Sequence, residues 1–250
     1  MAVETLDHLG ADKEMERPMF KQFGLGSTNT SPDRLLDGAS VAHSGRLAAL
    51  IALENIGARR SIARDAEIYA EGDPGDYWYQ VISGMVRISK LLADGRRHIV
   101  EFCFAGDCFG LGDVGEHSFS AEAIDDVILM RYPRRATERL IDEQPQLARG
   151  LCDMTLRDLA HAQTRMLLLA RMTASERVAN FLLEMSERRD ARRILDLSMS
   201  RNDIADYLGL TIETVCRVLS ALKRDDTIAI PTPHRIEIRD RAALETLSDA

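Results

Sequence analysis

The sequence predicts an α+β chain: an N-terminal antiparallel β-roll of the jelly-roll kind, one long helix, and a C-terminal group of short helices closed by a β-hairpin. Three observations predict it. Short apolar runs between glycine- and aspartate-rich turns fill residues 58–132, the pattern of an antiparallel roll or barrel. A seam with alternating steps of four and three runs from Ala148 to Leu169, as two helices packed side by side require. Two capped helical segments, separated by only three residues, occupy Ser200–Lys223.

Residues 1–43 lack sustained periodicity, and Gly24, Gly26, Ser27, Asn29, Ser31 and Pro32 interrupt any helix, so this part reads as a flexible arm. Ser44–Ile56 has helical spacing and leads into the roll. Within the roll, EGDPGD (Glu71–Asp76) is a turn cluster. YWYQVI, MVRISKLL and RHIVEFCF follow as strands, the last two joined through Asp94-Gly95, a pair suited to positive φ. SAEAIDDVILMRY closes the series.

Arg134–Leu169 reads as helical, with Pro145 tolerated in a first turn. Its seam is Ala148, Cys152, Thr155, Leu159, Ala162, Met166 and Leu169. A second stripe, Leu147, Leu151 and Met154, faces the roll. Two stripes imply two partners, the roll and a second copy of the chain; one helix buried in its own domain also fits. Thr173-Ala-Ser-Glu176 is a capping box that starts an amphipathic helix. The expected division is 1–43 arm, 44–143 β-roll domain, 144–170 dimerisation helix and 171–250 C-terminal domain.

The stretch SRNDIADYLGLTIETVCRVLSALKR (Ser200–Arg224) carries the function. Ser200 caps one helix to Leu208, Gly209 allows the turn, and Thr211 caps a second helix. Ile204, Ala205, Leu208, Val215 and Leu219 face inward. Ile212, Glu213, Cys216 and Arg217 face outward. Glu213 and Arg217 lie one helical turn apart, which fits a weak surface ion pair. It also fits base readout: an arginine grips O6 and N7 of guanine, while a carboxylate accepts from N4 of cytosine. In a helix-turn-helix, base contacts come from the start of the second helix, and this context favours readout. The terminal hairpin then makes a winged helix-turn-helix, with Arg235 and Arg239 as candidate phosphate contacts or as solvated charges.

The net charge of −8 argues against a nucleic-acid binder only on the whole-chain average. Residues 1–170 hold 19 basic and 26 acidic side chains, whereas residues 171–250 hold 13 and 14. DNA affinity follows local phosphate contacts, so an acidic N-terminal part is compatible with it. No apolar run is long enough to span a membrane, and no secretory h-region opens the chain, which points to the cytoplasm.

With those residues in place, the chain resembles the CRP/FNR family of bacterial transcription regulators over roughly residues 44–245. RNDIADYLGLTIETVCRVLSALK carries the likeness most strongly, and GDCFGL and HSFSAEAI point to the FixK branch. The resemblance implies a homodimeric activator that binds a palindrome in double-stranded DNA and works with RNA polymerase on microaerobic, nitrogen-fixation or denitrification genes. It implies base contacts from Glu213 and Arg217, with apolar Ile212 pointing to TTGA…TCAA half-sites. It implies phosphate contacts from Ser200 and Asn202, beside Thr211 at the second cap. Cys216 stands where related chains commonly have serine.

The same resemblance sets expectations about cofactors. Residues 1–102 contain no cysteine, so a cysteine-ligated iron–sulfur cluster has no N-terminal ligands. GLGDVGEHSFSAEA (Gly110–Ala123) offers Asp113 but no arginine to meet a cyclic-nucleotide phosphate. Neither group is expected, and no metal spacing is evident. Cys103 and Cys108 read as roll residues, and His98 and His117 as isolated surface or hydrogen-bonded groups. Two alternatives remain: a ligand- or redox-gated regulator of the same fold, with a small molecule or haem in the roll or oxidation at Cys216, and a cupin-like enzyme.

Overall fold

The computed structural model describes residues 53, 55–189 and 193–248. The proposed arm, residues 1–43, and most of the helical stretch before Ile56 lie outside them. Eleven strands and six helices are described. Strands β1 (Ala58–Ile62), β2 (Glu67–Tyr69), β3 (Tyr77–Ser83), β4 (Val86–Leu91), β5 (Arg97–Cys103), β6 (Cys108–Phe109), β7 (Ser120–Ala123) and β8 (Val127–Pro133) form two four-stranded antiparallel sheets. Their orders are β1-β8-β3-β6 and β2-β7-β4-β5.

Alternation within the strands builds two cores from one sheet. Val81, Val127 and Leu129 point between the sheets, with Val86, Ile88 and Ala121 opposite. Trp78 and Tyr132 point the other way and stack at 4.3 Å. Both polar tips of that pair are satisfied. The indole Nε1 of Trp78 donates to Thr137 Oγ1 at 3.0 Å, and the Tyr132 hydroxyl donates to Gln80 Oε1 at 3.1 Å.

SAEAIDDVILMRY is two strands rather than one. Ile124–Asp126 turns between β7 and β8, and the carboxylates hold the turn. Asp125 Oδ1 accepts from the Met85 backbone N–H at 2.8 Å, and Asp126 Oδ1 from that of Arg64 at 3.0 Å. The apolar run hid this break.

Helix α1 (Arg134–Glu143) and helix α2 (Pro145–Arg171) are separated at Gln144, where the residue before proline leaves the helical region (φ −132°, ψ 85°). Leu147, Leu151 and Met154 of α2 pack against Trp78 and Tyr132, as the second stripe predicts. The other face of α2 is open: Leu156, Leu159, Met166 and Leu167 are each more than half exposed.

Helix α3 (Ala174–Arg188) opens on the Thr173–Glu176 capping box. Then come β9 (Ile194–Asp196), α4 (Arg201–Leu208), α5 (Ile212–Arg224), β10 (Ile228–Thr232), β11 (Arg235–Ile238) and α6 (Arg241–Ser248). The last three strands form a sheet in the order β10-β11-β9. The core of this C-terminal part does not close on itself. Val178, Phe181, Tyr207 and Leu208 share one buried cluster with Met85, Ile99, Phe102 and Ile124 of the roll. No helix among the described residues is long and apolar enough to cross a membrane.

Candidate nucleic-acid interface

Local chemistry sets the geometry of α4 and α5. Ser200 and Asp203 form a reciprocal capping box at the start of α4: the serine hydroxyl accepts from the Asp203 N–H, and the carboxylate accepts from the Ser200 N–H. Gly209 ends α4 in the left-handed region (φ 62°, ψ 38°). A Cβ there would meet its nearest neighbours at 3.6 and 4.0 Å, ordinary contacts, so the backbone conformation and not space calls for glycine. The turn is fastened by Arg177, whose guanidinium donates to the carbonyls of Leu208 (3.0 Å), Met172 (3.0 Å) and Leu169 (2.8 Å). Thr211 then caps α5 by accepting from the Thr214 N–H at 3.3 Å.

Between the helices lie Ile204, Ala205, Leu208, Val215 and Leu219, all buried. On the opposite side of α5, Glu213, Cys216 and Arg217 are exposed. No ion pair joins Glu213 to Arg217, although both are described and one turn apart. The polar contact of the Arg217 guanidinium is a long one, 3.5 Å to Thr214 Oγ1. The carboxyl of Glu213 is held below the ordinary glutamate range by a backbone N–H and by the Thr211 hydroxyl, so it is an acceptor at neutral pH. A guanidinium fork and an ionised carboxylate thus stand on one open helical face.

Ile212 differs from its outward assignment. It is half-buried and packs against the shared core, so only part of its side chain faces out. A position at the first turn lies between the two faces of an amphipathic helix, and periodicity alone cannot assign it.

The remaining candidates surround this face. Ser200, Asn202 and Thr211 are exposed at the starts of the two helices. The Ser200 hydroxyl also donates to Asp203 Oδ2 at 2.7 Å. Arg235 and Arg239 are exposed but engaged: Arg235 makes a two-point pair with Asp196 (2.7 and 3.0 Å), and Arg239 pairs with Asp226. Arg201, which the sequence reading passed over, donates to the Pro233 carbonyl at 3.0 Å and so ties α4 to the β10–β11 hairpin. Burial lowers its pKa, while a Cys216 thiolate would raise it. On the seam of α2, Cys152, Thr155, Leu159, Ala162 and Met166 are exposed, and Ala148 and Leu169 are half-buried.

The roll interior is packed with aromatic rings. The His117 ring is 2% exposed, stacks on Tyr69 at 3.5 Å, and bonds through Nδ1 to Asp113 Oδ2 at 2.8 Å. Of the alternatives for this histidine, hydrogen bonding and not surface exposure holds. Arg134 reaches toward the same loop, but its guanidinium is occupied by the carbonyls of Gly75, Gly110 and Leu111. Arg131 shares the face of Val127 and Leu129. Its guanidinium lies 4.1 Å from the centre of the Tyr77 ring, and its buried Nε has no hydrogen-bond partner. Cys103 is buried in β5 and Cys108 half-buried in β6; burial pushes the Cys103 thiol well up. No group of three or more metal-ligating side chains occurs among the described residues.

Comparison with known proteins fits this geometry. Residues 176–247 match the Crp-like helix-turn-helix domain, and residues 59–144 match the cyclic nucleotide-binding domain. The chain is 41% identical to the nitrogen fixation regulation protein FixK of Azorhizobium caulinodans over 215 residues, covering 84% of this chain and 86% of that one. It is 45% identical to FixK of Rhizobium meliloti over 181 residues, covering 72% and 82%. The solved structure of FixK2 from Bradyrhizobium japonicum superimposes with a TM-score of 0.75 at 45% identity, covering 78% of this chain and 98% of that one. The chain therefore belongs to the CRP/FNR family of helix-turn-helix transcription regulators and is FixK-like within it.

Proposed function

We propose that two copies of this chain, paired along the open face of α2, bind an inverted repeat of the TTGA…TCAA type and activate transcription from it. The observation that carries the reading is the pair Glu213 and Arg217, exposed on one face of α5 with no ion pair between them. Each reads one strand of a G·C pair, Arg217 the guanine and Glu213 the cytosine. Ser200, Asn202 and Thr211 hold phosphates at the two helix starts, where the helix dipole favours anions. Arg235 and Arg239 lie on the hairpin as shared charges, so their phosphate contacts compete with Asp196 and Asp226 and are the weakest of the set. In this reading the bound dimer engages RNA polymerase in the cytoplasm, and its target genes serve microaerobic or nitrogen metabolism, in keeping with the names of the FixK relatives.

Leu159, Met166 and the smaller residues between them supply the pairing face, because exposed leucine and methionine at heptad spacing are stabilised by a second helix. Analytical ultracentrifugation with and without a duplex carrying the repeat tests this. Two chains per duplex are expected for the native protein, and Leu159→Asp with Met166→Asp is expected to give monomers. Monomers already in the native protein at micromolar concentration would remove the dimer reading.

The roll does not fit a cyclic nucleotide in the stretch Gly110–Ala123. That stretch presents the carboxylate of Asp113 and the buried His117 ring bound to it and has no arginine of its own, and the Arg134 guanidinium at its start is taken up by backbone carbonyls. A second reading rests on Arg131. A buried guanidinium nitrogen without a partner beside Tyr77 suits a small carboxylate, which would make the protein ligand-gated. Native mass spectrometry of the purified protein distinguishes the two: bare chains favour a regulator without a bound effector, and an added mass lost in Arg131→Leu favours the gated form.

A further inference from the structure

The first helix of the DNA-binding unit is fastened to the roll by charged groups, although burying charges is costly unless they are closely paired. Asp203 lies at the centre. It is 4% exposed. One of its oxygens closes the capping box of α4. The other accepts from Arg97 Nη2 of β5 at 2.6 Å and from Arg87 Nη1 of β4 at 3.4 Å. Arg87 is itself aimed by Glu122 of β7 at 2.7 Å, and Arg97 also pairs with Asp206 of α4 at 2.9 Å. One turn further along α4, the Tyr207 ring is covered by the guanidinium of Arg165 from α2, 3.3 Å from the ring centre. That guanidinium donates to the carbonyls of Ile99 (3.3 Å), Val100 and Tyr207 (3.1 Å). Three parts of the chain, β4, β5 and α2, therefore meet at α4.

This clamp leaves the outward face of α5 open while fixing the direction in which it points. Charge-assisted hydrogen bonds are directional, and here each arginine bridges two carboxylates, Arg97 those of Asp203 and Asp206 and Arg87 those of Glu122 and Asp203, which restricts orientation more than apolar contact does. A dimer on an inverted repeat must present its two reading helices about one helical turn of DNA apart. We propose that Arg87 and Arg97 are positioning residues for DNA recognition: acting from the roll through Asp203 and Asp206, they set the orientation of the two reading helices so that both half-sites are engaged together. The inference rests on the assignment of Glu213 and Arg217 as base readers.

The test uses Arg87→Gln with Arg97→Gln, which leaves the capping box intact, and Arg97→Lys as the conservative variant. Affinity is measured for a duplex with two TTGA-type half-sites, for one with a single half-site, and for duplexes with altered spacing. Expected is a loss of about tenfold or more on the full site, as two linked contacts become independent. Expected with it are little change on the half-site, a broadened spacing preference, and a smaller loss of the same kind in Arg97→Lys, which keeps the charge but not the fork. Equal losses on both duplexes, no loss, or tighter full-site binding would overturn the proposal. Native protein that does not distinguish the half-site from scrambled DNA sinks the base-reading assignment, and the clamp's role with it. Native discrimination with an unaffected double variant sinks the clamp alone.

Discussion

Helices α4 and α5 follow each other in the chain, share one buried seam, and treat their charges in opposite ways. On α4, Asp203 and Asp206 are each bound to a guanidinium of the roll, and the Tyr207 hydroxyl donates to the Glu184 carboxylate. On α5, Glu213 and Arg217 stand one turn apart and do not pair. The contrast teaches which helix is held and which one holds. Side chains satisfied inside the protein fix α4 as a mount, while on α5 Glu213 is held only by its helix start and Arg217 only by the long contact to Thr214, which leaves both for the proposed partner. Spacing alone could not separate the two roles, because acid and base one turn apart serve either.

The sharpest way to break this contrast is to remove the outward fork. Arg217→Ala is expected to cost about 1–3 kcal/mol of specific binding and to relax the preference at the guanine. Thermal stability should hardly move, since Arg217 makes no closer polar contact than that to Thr214. Competition binding with single-base variants of the site measures both the loss and the position where it falls. A variant that keeps its base preference would show the register to be wrong.

A second change acts at the joint between the helices. Gly209→Ala is expected to lower stability by about 1 kcal/mol because φ there is positive, without altering which sequence is bound. A denaturant titration checks the first part and the same competition assay the second. A shift in base preference would mean that the turn itself positions Arg217.

The thiol of Cys216 offers a smaller and conditional effect. It is exposed on the proposed reading face, beside Arg217 in sequence. Oxidation would add bulk and charge where the groove must enter. Peroxide should weaken DNA binding by the native chain, and Cys216→Ser should bind normally and resist the treatment. Equal losses in both proteins would place the sensitive group elsewhere.

The smallest effect concerns acid. Burial raises the Asp203 pKa, but the hydrogen bonds from Ser200 and the charges of Arg87 and Arg97 outweigh it, and the carboxyl stays below the ordinary aspartate value. A depressed carboxyl contributes stability above the unfolded value of about 3.9, and that contribution fades as pH falls through the lower folded value. The protection of the α4 amides, compared with Asp203→Asn at each pH, should therefore be steady from pH 7 to pH 5 and fall only below about 4. A fall near neutral pH would point to a histidine instead. His98 is the candidate, since burial and the nearby charge of Arg165 push its pKa down.

The sequence and the structure agree where signals are local. Ser200, Gly209 and Thr211 mark α4 and the start of α5 to the residue, because a cap or a positive φ is decided by its own neighbourhood. Pro145 likewise marks the start of α2. The turn at Asp125 and Asp126 was hidden, because apolar residues on both sides continued the strand pattern across two acids that hold backbone N–H groups. Ile212 was placed outward because a first-turn residue lies on the border of a helical face. The clamp on α4 left no trace in periodicity. Arg97 and Asp203 are 106 positions apart, and an arginine on a strand looks like any solvated charge. The one hint was the S-x-x-D spacing of Ser200 and Asp203, which marks the carboxylate as engaged but says nothing of its second oxygen.

The central claim is that α5 reads base edges with Glu213 and Arg217 from two symmetric copies. Selection of bound duplexes from a random pool tests it most directly, because one experiment returns half-site sequence, symmetry and spacing. An inverted repeat with G·C pairs at matching positions, lost when Arg217→Ala replaces the native chain, is the expected result. Enrichment of a single asymmetric sequence, or the same repeat recovered by the variant, would contradict it.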